Sequence, residues 1–132
     1  MSESKALGGD DVLAVEDRPR ERVEVPEWGG HVYVATIGGD LRDEWEVDCL
    51  DPATGAQKRS HIRARLLVRC LVDSEGRRLF RDDQVADLSR KSARALQRCF
   101  DVALRLNRLR KADLEELEGN SPAGPSAGSG SG

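Results

Sequence analysis

The clearest hydrophobic pattern in the chain lies between residues 92 and 109, where apolar side chains recur at helical spacing. Leu96, Phe100 and Leu104 are four residues apart, so they share one face of a helix. Burying each of them is worth roughly 1.5–3 kcal/mol. The pattern therefore predicts an amphipathic helix whose apolar stripe either packs into the core or contacts a partner. It leaves open whether one helix or two spans 83–109.

A second helical pattern runs from residue 60 to the turn predicted at 73–76, and it should end near Val72. Its apolar positions recur at the 3.6-residue period, which places Arg63, Arg65 and Arg69 on the opposite, outward face. This arginine-rich face is a second candidate surface for a partner.

The strand signals come earlier in the chain. Residues 23–25 alternate apolar and acidic side chains, 26–30 contain proline and two glycines, and 31–37 are rich in β-branched residues. These features predict a β-hairpin, followed by a short helix at 40–50. The predicted fold class is α+β, with a small N-terminal hairpin and a mainly helical remainder that ends in a short helix at 112–117.

Composition sets the predicted limits of this domain. Residues 1–22 are polar and acidic around a short apolar patch at 12–15, so they are predicted to be a disordered arm. Residues 119–132 are rich in glycine, serine and proline, which is typical of a flexible tail. A single α+β domain is expected between them, over 23–118.

Charge is distributed unevenly although the whole chain carries only −3. Residues 1–57 contain five basic and fourteen acidic residues, whereas 58–111 contain sixteen basic and six acidic. The basic segment could meet nucleic acid, an acidic partner or the chain's own acidic half. It lacks the interleaved aromatic residues on which bases stack, so nucleic acid is the less favoured partner.

Candidate chemistry is sparse in the sequence. Cys49, Cys70 and Cys99 form no CxxC pair and have no HxxxH motif beside them, so a zinc site is not expected. A calcium loop at 73–76 would need a ligand at Leu71, which cannot coordinate a hard cation. We expect no metal, no cofactor and no enzymatic activity. The absence of an apolar leader or a long apolar run favours free thiols in a reducing cytoplasm, away from membranes.

Three segments together carry a resemblance to a known family: VEVPEWGGHVYV (23–34), ARLLVRCLVDSEGRRLF (64–80) and KSARALQRCFDVALRLN (91–107). In this order and spacing the chain resembles the tail assembly chaperones of long-tailed, siphophage-type bacteriophages and prophages. The resemblance implies a non-enzymatic factor in the host cell cytoplasm that binds the tape measure protein and helps to recruit tail tube subunits. It also implies that a longer, frameshifted form can exist.

The candidate contacts with such a partner are Leu96, Phe100 and Leu104 on one surface, or Arg63, Arg65 and Arg69 on the other. A tape measure protein is a long, apolar-rich helical chain, and an apolar helix face can bind such a chain. Self-association is left open. The alternatives are a small nucleic-acid-binding protein that uses residues 58–111, and a structural component of the tail or of head completion.

Overall fold

Residues 4–58 and 60–109 are described by a computed structural model of the chain. These residues form five α-helices and one three-stranded antiparallel sheet. In chain order the elements are α1 (Gly9–Ala14), β1 (Arg20–Val25), β2 (Gly30–Ala35), α2 (Gly39–Asp48), α3 (Ile62–Cys70), β3 (Leu71–Val72), α4 (Val85–Ser89) and α5 (Ala93–Leu106).

The predicted hairpin is confirmed as β1 and β2, which pair in register from Arg20↔Ala35 to Val25↔Gly30. A short 3₁₀ turn at Pro26–Trp28 joins the strands, and Gly29 follows it in the left-handed conformation with φ +79°. Glycine adopts this conformation without steric cost. The alternation of β1 directs its two valines into the core and its charged side chains toward solvent.

The third strand was not predicted. Helix α3 ends at Cys70, and Leu71 and Val72 pair with Val34 and Tyr33 of β2. The helix therefore ends two residues before the predicted end near Val72. The apolar run before the turn suits a buried helix and a buried strand equally well, and β2 offers backbone hydrogen bonds that only the folded chain brings close.

Two helices occupy the region that was predicted as either one or two. Helix α4 ends at Ser89, and α5 begins after Ser92, whose side-chain oxygen accepts a hydrogen bond from the Ala95 amide at 3.2 Å. This bond satisfies an amide that would otherwise lack a partner at the start of α5. Both α4 and α5 pack against α3.

Asn107 fixes the end of α5 against the sheet. Its Oδ1 accepts a hydrogen bond from the Ile37 amide at 2.8 Å, and its Nδ2 donates to the Ala103 carbonyl at 2.9 Å. One side chain thus ends the helix and holds it beside the end of β2. The core lies between α5, α3 and the inner face of the sheet.

The N-terminal arm differs from the prediction of disorder over 1–22. Residues Gly9–Ala14 form a helix in which no residue is buried, and β1 begins at Arg20, before the predicted domain start at 23. The predicted helix at 112–117, the domain end at 118 and the tail at 119–132 lie outside the described residues. Within the described part of the chain, no helix has the length and apolar character needed to cross a bilayer.

Candidate partner-binding surface

The apolar stripe of α5 faces the core. Leu96, Phe100 and Leu104 are 5%, 6% and 9% exposed and belong to one cluster with the sheet and α3. The interpretation of these three residues as core is therefore correct, and they do not present a surface to a partner in this structure. Their burial is what holds α5 in place.

Arg65 and Arg69 also point inward, so the prediction of an outward arginine face is wrong for both. Their side chains reach the Asp48 carboxylate at 3.2 Å and 3.4 Å. Arg65 also donates to the Ser60 carbonyl at 2.9 Å, and Arg69 donates to the Arg65 carbonyl at 2.7 Å. A charged group can be buried when it is paired and hydrogen-bonded in this way.

Arg63 is exposed, as predicted, and it joins α3 to α5. Its guanidinium lies 5.9 Å from the centre of the Phe100 ring, and its Nε donates to the Gln97 side chain. A groove of about 270 Å³ lies beside it, between the start of α3 and the α4–α5 connection. Arg63 and Leu96 both line this groove, but Leu96 is buried, so Arg63 is the predicted contact residue that the groove exposes.

Ion pairs connect the basic and acidic halves of the chain. Arg98 of α5 donates to both carboxylate oxygens of Glu27 at 2.7 Å and 3.0 Å, and Arg105 lies 2.7 Å from Glu21 of β1. The hydrogen bond from Arg98 lowers the pKa of the Glu27 carboxyl to about 2. Part of the positive charge that could attract nucleic acid is thus neutralised by the chain's own acidic half.

The N-terminal arm exposes apolar side chains that the sequence reasoning did not propose as a site. Four large apolar residues in α1 and beside it are exposed, and we call this set the apolar arm. They are Leu7 at 56%, Val12 at 54%, Leu13 at 85% and Val15 at 57%. The sequence signal was the apolar patch at 12–15, which was interpreted as too small to fold. An ordered apolar segment that covers no core is a candidate contact for another protein.

The three cysteines are free and buried. Burial raises the pKa of the Cys70 thiol to about 12 and the pKa values of Cys49 and Cys99 to about 11. Thiols with such pKa values stay protonated at neutral pH and are poor nucleophiles. Across residues 4–58 and 60–109, no group of three or more His, Cys, Asp or Glu side chains could hold a metal ion.

The comparisons with known proteins concern the fold. No protein-family model matches the chain, and no curated protein matches it. A solved structure, that of the bacteriophage HK97 tail assembly chaperone, matches with a TM-score of 0.53 and 21% identity, over 67% of this chain and 85% of that chain. The resemblance that the sequence indicates is therefore confirmed at the level of architecture: the chain has the fold of a phage tail assembly chaperone.

Proposed function

We propose that this protein is a phage tail assembly chaperone, which binds the tape measure protein and helps to recruit tail tube subunits in the cytoplasm of the host cell. The observation that carries the proposal is the fold shared with the HK97 tail assembly chaperone over two-thirds of the chain. We propose no catalysis, since a chaperone of this kind acts by covering a surface. The buried, protonated cysteines agree with that role.

We propose the apolar arm as the contact with the tape measure protein. Leu13 is 85% exposed, and transferring such a side chain from water into an apolar partner is worth roughly 1.5–3 kcal/mol. Helix α1 has six residues, and isolated helices shorter than roughly 12–15 residues are marginal in water. Packing against an apolar helix of the partner would supply the stabilisation that α1 does not obtain from its own domain.

The test is co-expression with a tape measure protein from the same genome. We expect the unmodified chain to raise the soluble fraction of that protein and to co-purify with it. Leu13→Ser should weaken both effects, because it removes the most exposed apolar side chain of the arm. Val47→Ser is the matched control, since Val47 of α2 is also exposed, at 70%, but lies outside the arm.

Two results would contradict the proposal at different levels. A tape measure protein that stays insoluble with and without the chain would refute the chaperone function. If the Leu13→Ser variant still co-purifies with the tape measure protein, the arm is not the contact, but the chaperone function stands. A second co-expression, with the tail tube subunit, tests recruitment in the same way.

The remaining alternatives predict different observations. Nucleic-acid binding would give a mobility shift with unrelated DNA that weakens steeply with salt. The ion pairs of Arg98 and Arg105 with the hairpin speak against this function. A structural tail or head-completion component would be present in purified particles. A longer frameshifted form requires a ribosome-slippery stretch near the end of the reading frame.

A further inference from the structure

A small basic cavity lies where the start of β1, the end of β2, the end of α3 and the turn after β3 meet. Its volume is about 120 Å³, well below the roughly 300–1,000 Å³ of pockets for drug-sized ligands. The charged residues that line it are Arg18, Arg20, Arg69, Arg78, Glu16 and Glu75. This basic cavity is separate from the groove beside Arg63 and from the exposed side chains of the apolar arm.

Arg69 brings a partly neutralised positive charge to the wall of the basic cavity. It is 4% exposed and shares the single Asp48 carboxylate with Arg65 and with Lys58, whose Nζ lies 3.8 Å from that carboxylate. The buried Nε of Arg69 has no hydrogen-bond acceptor among the residues that the structure describes. A buried donor without a partner is costly, so Arg69 retains unused hydrogen-bonding capacity beside the cavity.

Arg20 provides a second guanidinium to the lining. Its Nη2 donates to the Ser74 carbonyl at 2.7 Å, a neutral acceptor that leaves its charge unbalanced. Gly76, at φ +87°, lets the turn pass close to the Arg20 guanidinium. A Cβ atom at position 76 would lie 3.3 Å from Arg20 Nη1. The turn thus lies against Arg20, and a larger side chain at position 76 would have to displace that guanidinium.

The other charged groups of the lining are already paired. Arg78 lies 2.6 Å from Asp82, and Glu75 is bound by Arg77, which is not part of the lining. Glu16 and Arg18 form a long ion pair with each other at 3.8 Å. The remaining charge in the cavity therefore comes from Arg20 and Arg69, and it is positive.

We propose that the basic cavity binds one oxyanion group, either the carboxylate of an acidic side chain or a free phosphate. Two guanidinium groups in one lining are the donors that suit such a group, because each donates N–H hydrogen bonds to an acceptor that carries negative charge. The volume admits a single group of this kind and excludes a nucleotide. The site depends neither on the proposed partner nor on the apolar arm.

The test is a titration of the full chain with sodium phosphate and, in a parallel arm, with sodium acetate, at constant ionic strength. The backbone amide signals of Gly76 and Ile37, which both line the cavity, report binding by NMR. We expect saturable shifts with at least one anion, and the tighter anion identifies the source. Arg20→Gln should weaken binding by roughly tenfold, the usual effect of losing a hydrogen bond from a charged group.

Arg22→Gln is the matched control, because Arg22 lies two residues along the same strand, is also exposed and does not line the cavity. It should leave the affinity unchanged. The proposal is overturned if neither anion gives saturable shifts, if Arg20→Gln binds as tightly as the unmodified chain, or if Arg22→Gln weakens binding equally. Should Arg20→Gln fail to fold, Arg20→Lys serves as the second variant, and it should also weaken binding, because lysine keeps the charge but loses the guanidinium fork.

Discussion

Replacing Asp48 by asparagine removes the carboxylate that two buried arginines share. Arg65 and Arg69 approach it at 3.2 Å and 3.4 Å, and their side chains are 9% and 4% exposed. Breaking a buried ion pair by removing one partner typically costs about 3–5 kcal/mol, because the remaining charge stays buried without compensation. The Asp48 side chain is 28% exposed, so water offsets part of this cost. We expect a loss of roughly 2–4 kcal/mol in the free energy of unfolding.

Urea denaturation followed by circular dichroism measures this loss, with an unchanged slope and a lower midpoint. Asp43→Asn on the same helix is the control: its carboxylate is exposed, and we expect a change within about 0.5 kcal/mol. Adding Arg69→Met to Asp48→Asn should recover part of the loss, since it removes an uncompensated charge. If Asp48→Asn costs no more than Asp43→Asn, or if Arg69→Met gives no recovery, the buried charges are not what Asp48 stabilises.

Three further predictions concern the core, the hairpin contact and the thiols. Phe100→Ala should lower the free energy of unfolding by about 3–5 kcal/mol, measured by urea denaturation, because Phe100 is core; a change below 1 kcal/mol would contradict this placement. The Glu27 carboxylate, with its pKa lowered to about 2, should add stability above about pH 4.5 that is lost as the pH falls toward 2. The stability difference between the unmodified chain and Glu27→Gln should therefore shrink over that range. Cys70, with its pKa raised to about 12, should react with a thiol reagent at pH 8 only after urea is added.

The local patterns of the sequence were sufficient to predict the hairpin and the longest helix. The β-branched run between Gly30 and Gly38 gives β2, and the spacing of Leu96 and Phe100 gives the buried face of α5. Both signals are strong because the apolar residues of each element keep the same spacing over its whole length. The two-residue strand β3 gives no such signal, since it exists through its pairing with β2.

The buried arginines were missed for a different reason. Charged residues are usually exposed, and a helical pattern shows only that Arg65 and Arg69 avoid the most apolar face. Their burial depends on Asp48, which lies on a different helix, and no spacing in the sequence predicts that this carboxylate meets α3. The same limitation applies to the basic cavity, whose lining comes from both strands of the hairpin, α3 and a turn.

The outer edge of the sheet bears on how copies of this chain can associate. Strand β1 lies at one edge, where it pairs with β2 alone, and its solvent-facing positions carry Arg20, Arg22 and Glu24. An edge strand with free backbone groups can recruit a strand from another molecule, and charged side chains are the usual protection against that pairing. Growth of the sheet from one molecule into the next is therefore disfavoured along β1. A protein that exposes an apolar arm is in this way kept from polymerising through its own backbone.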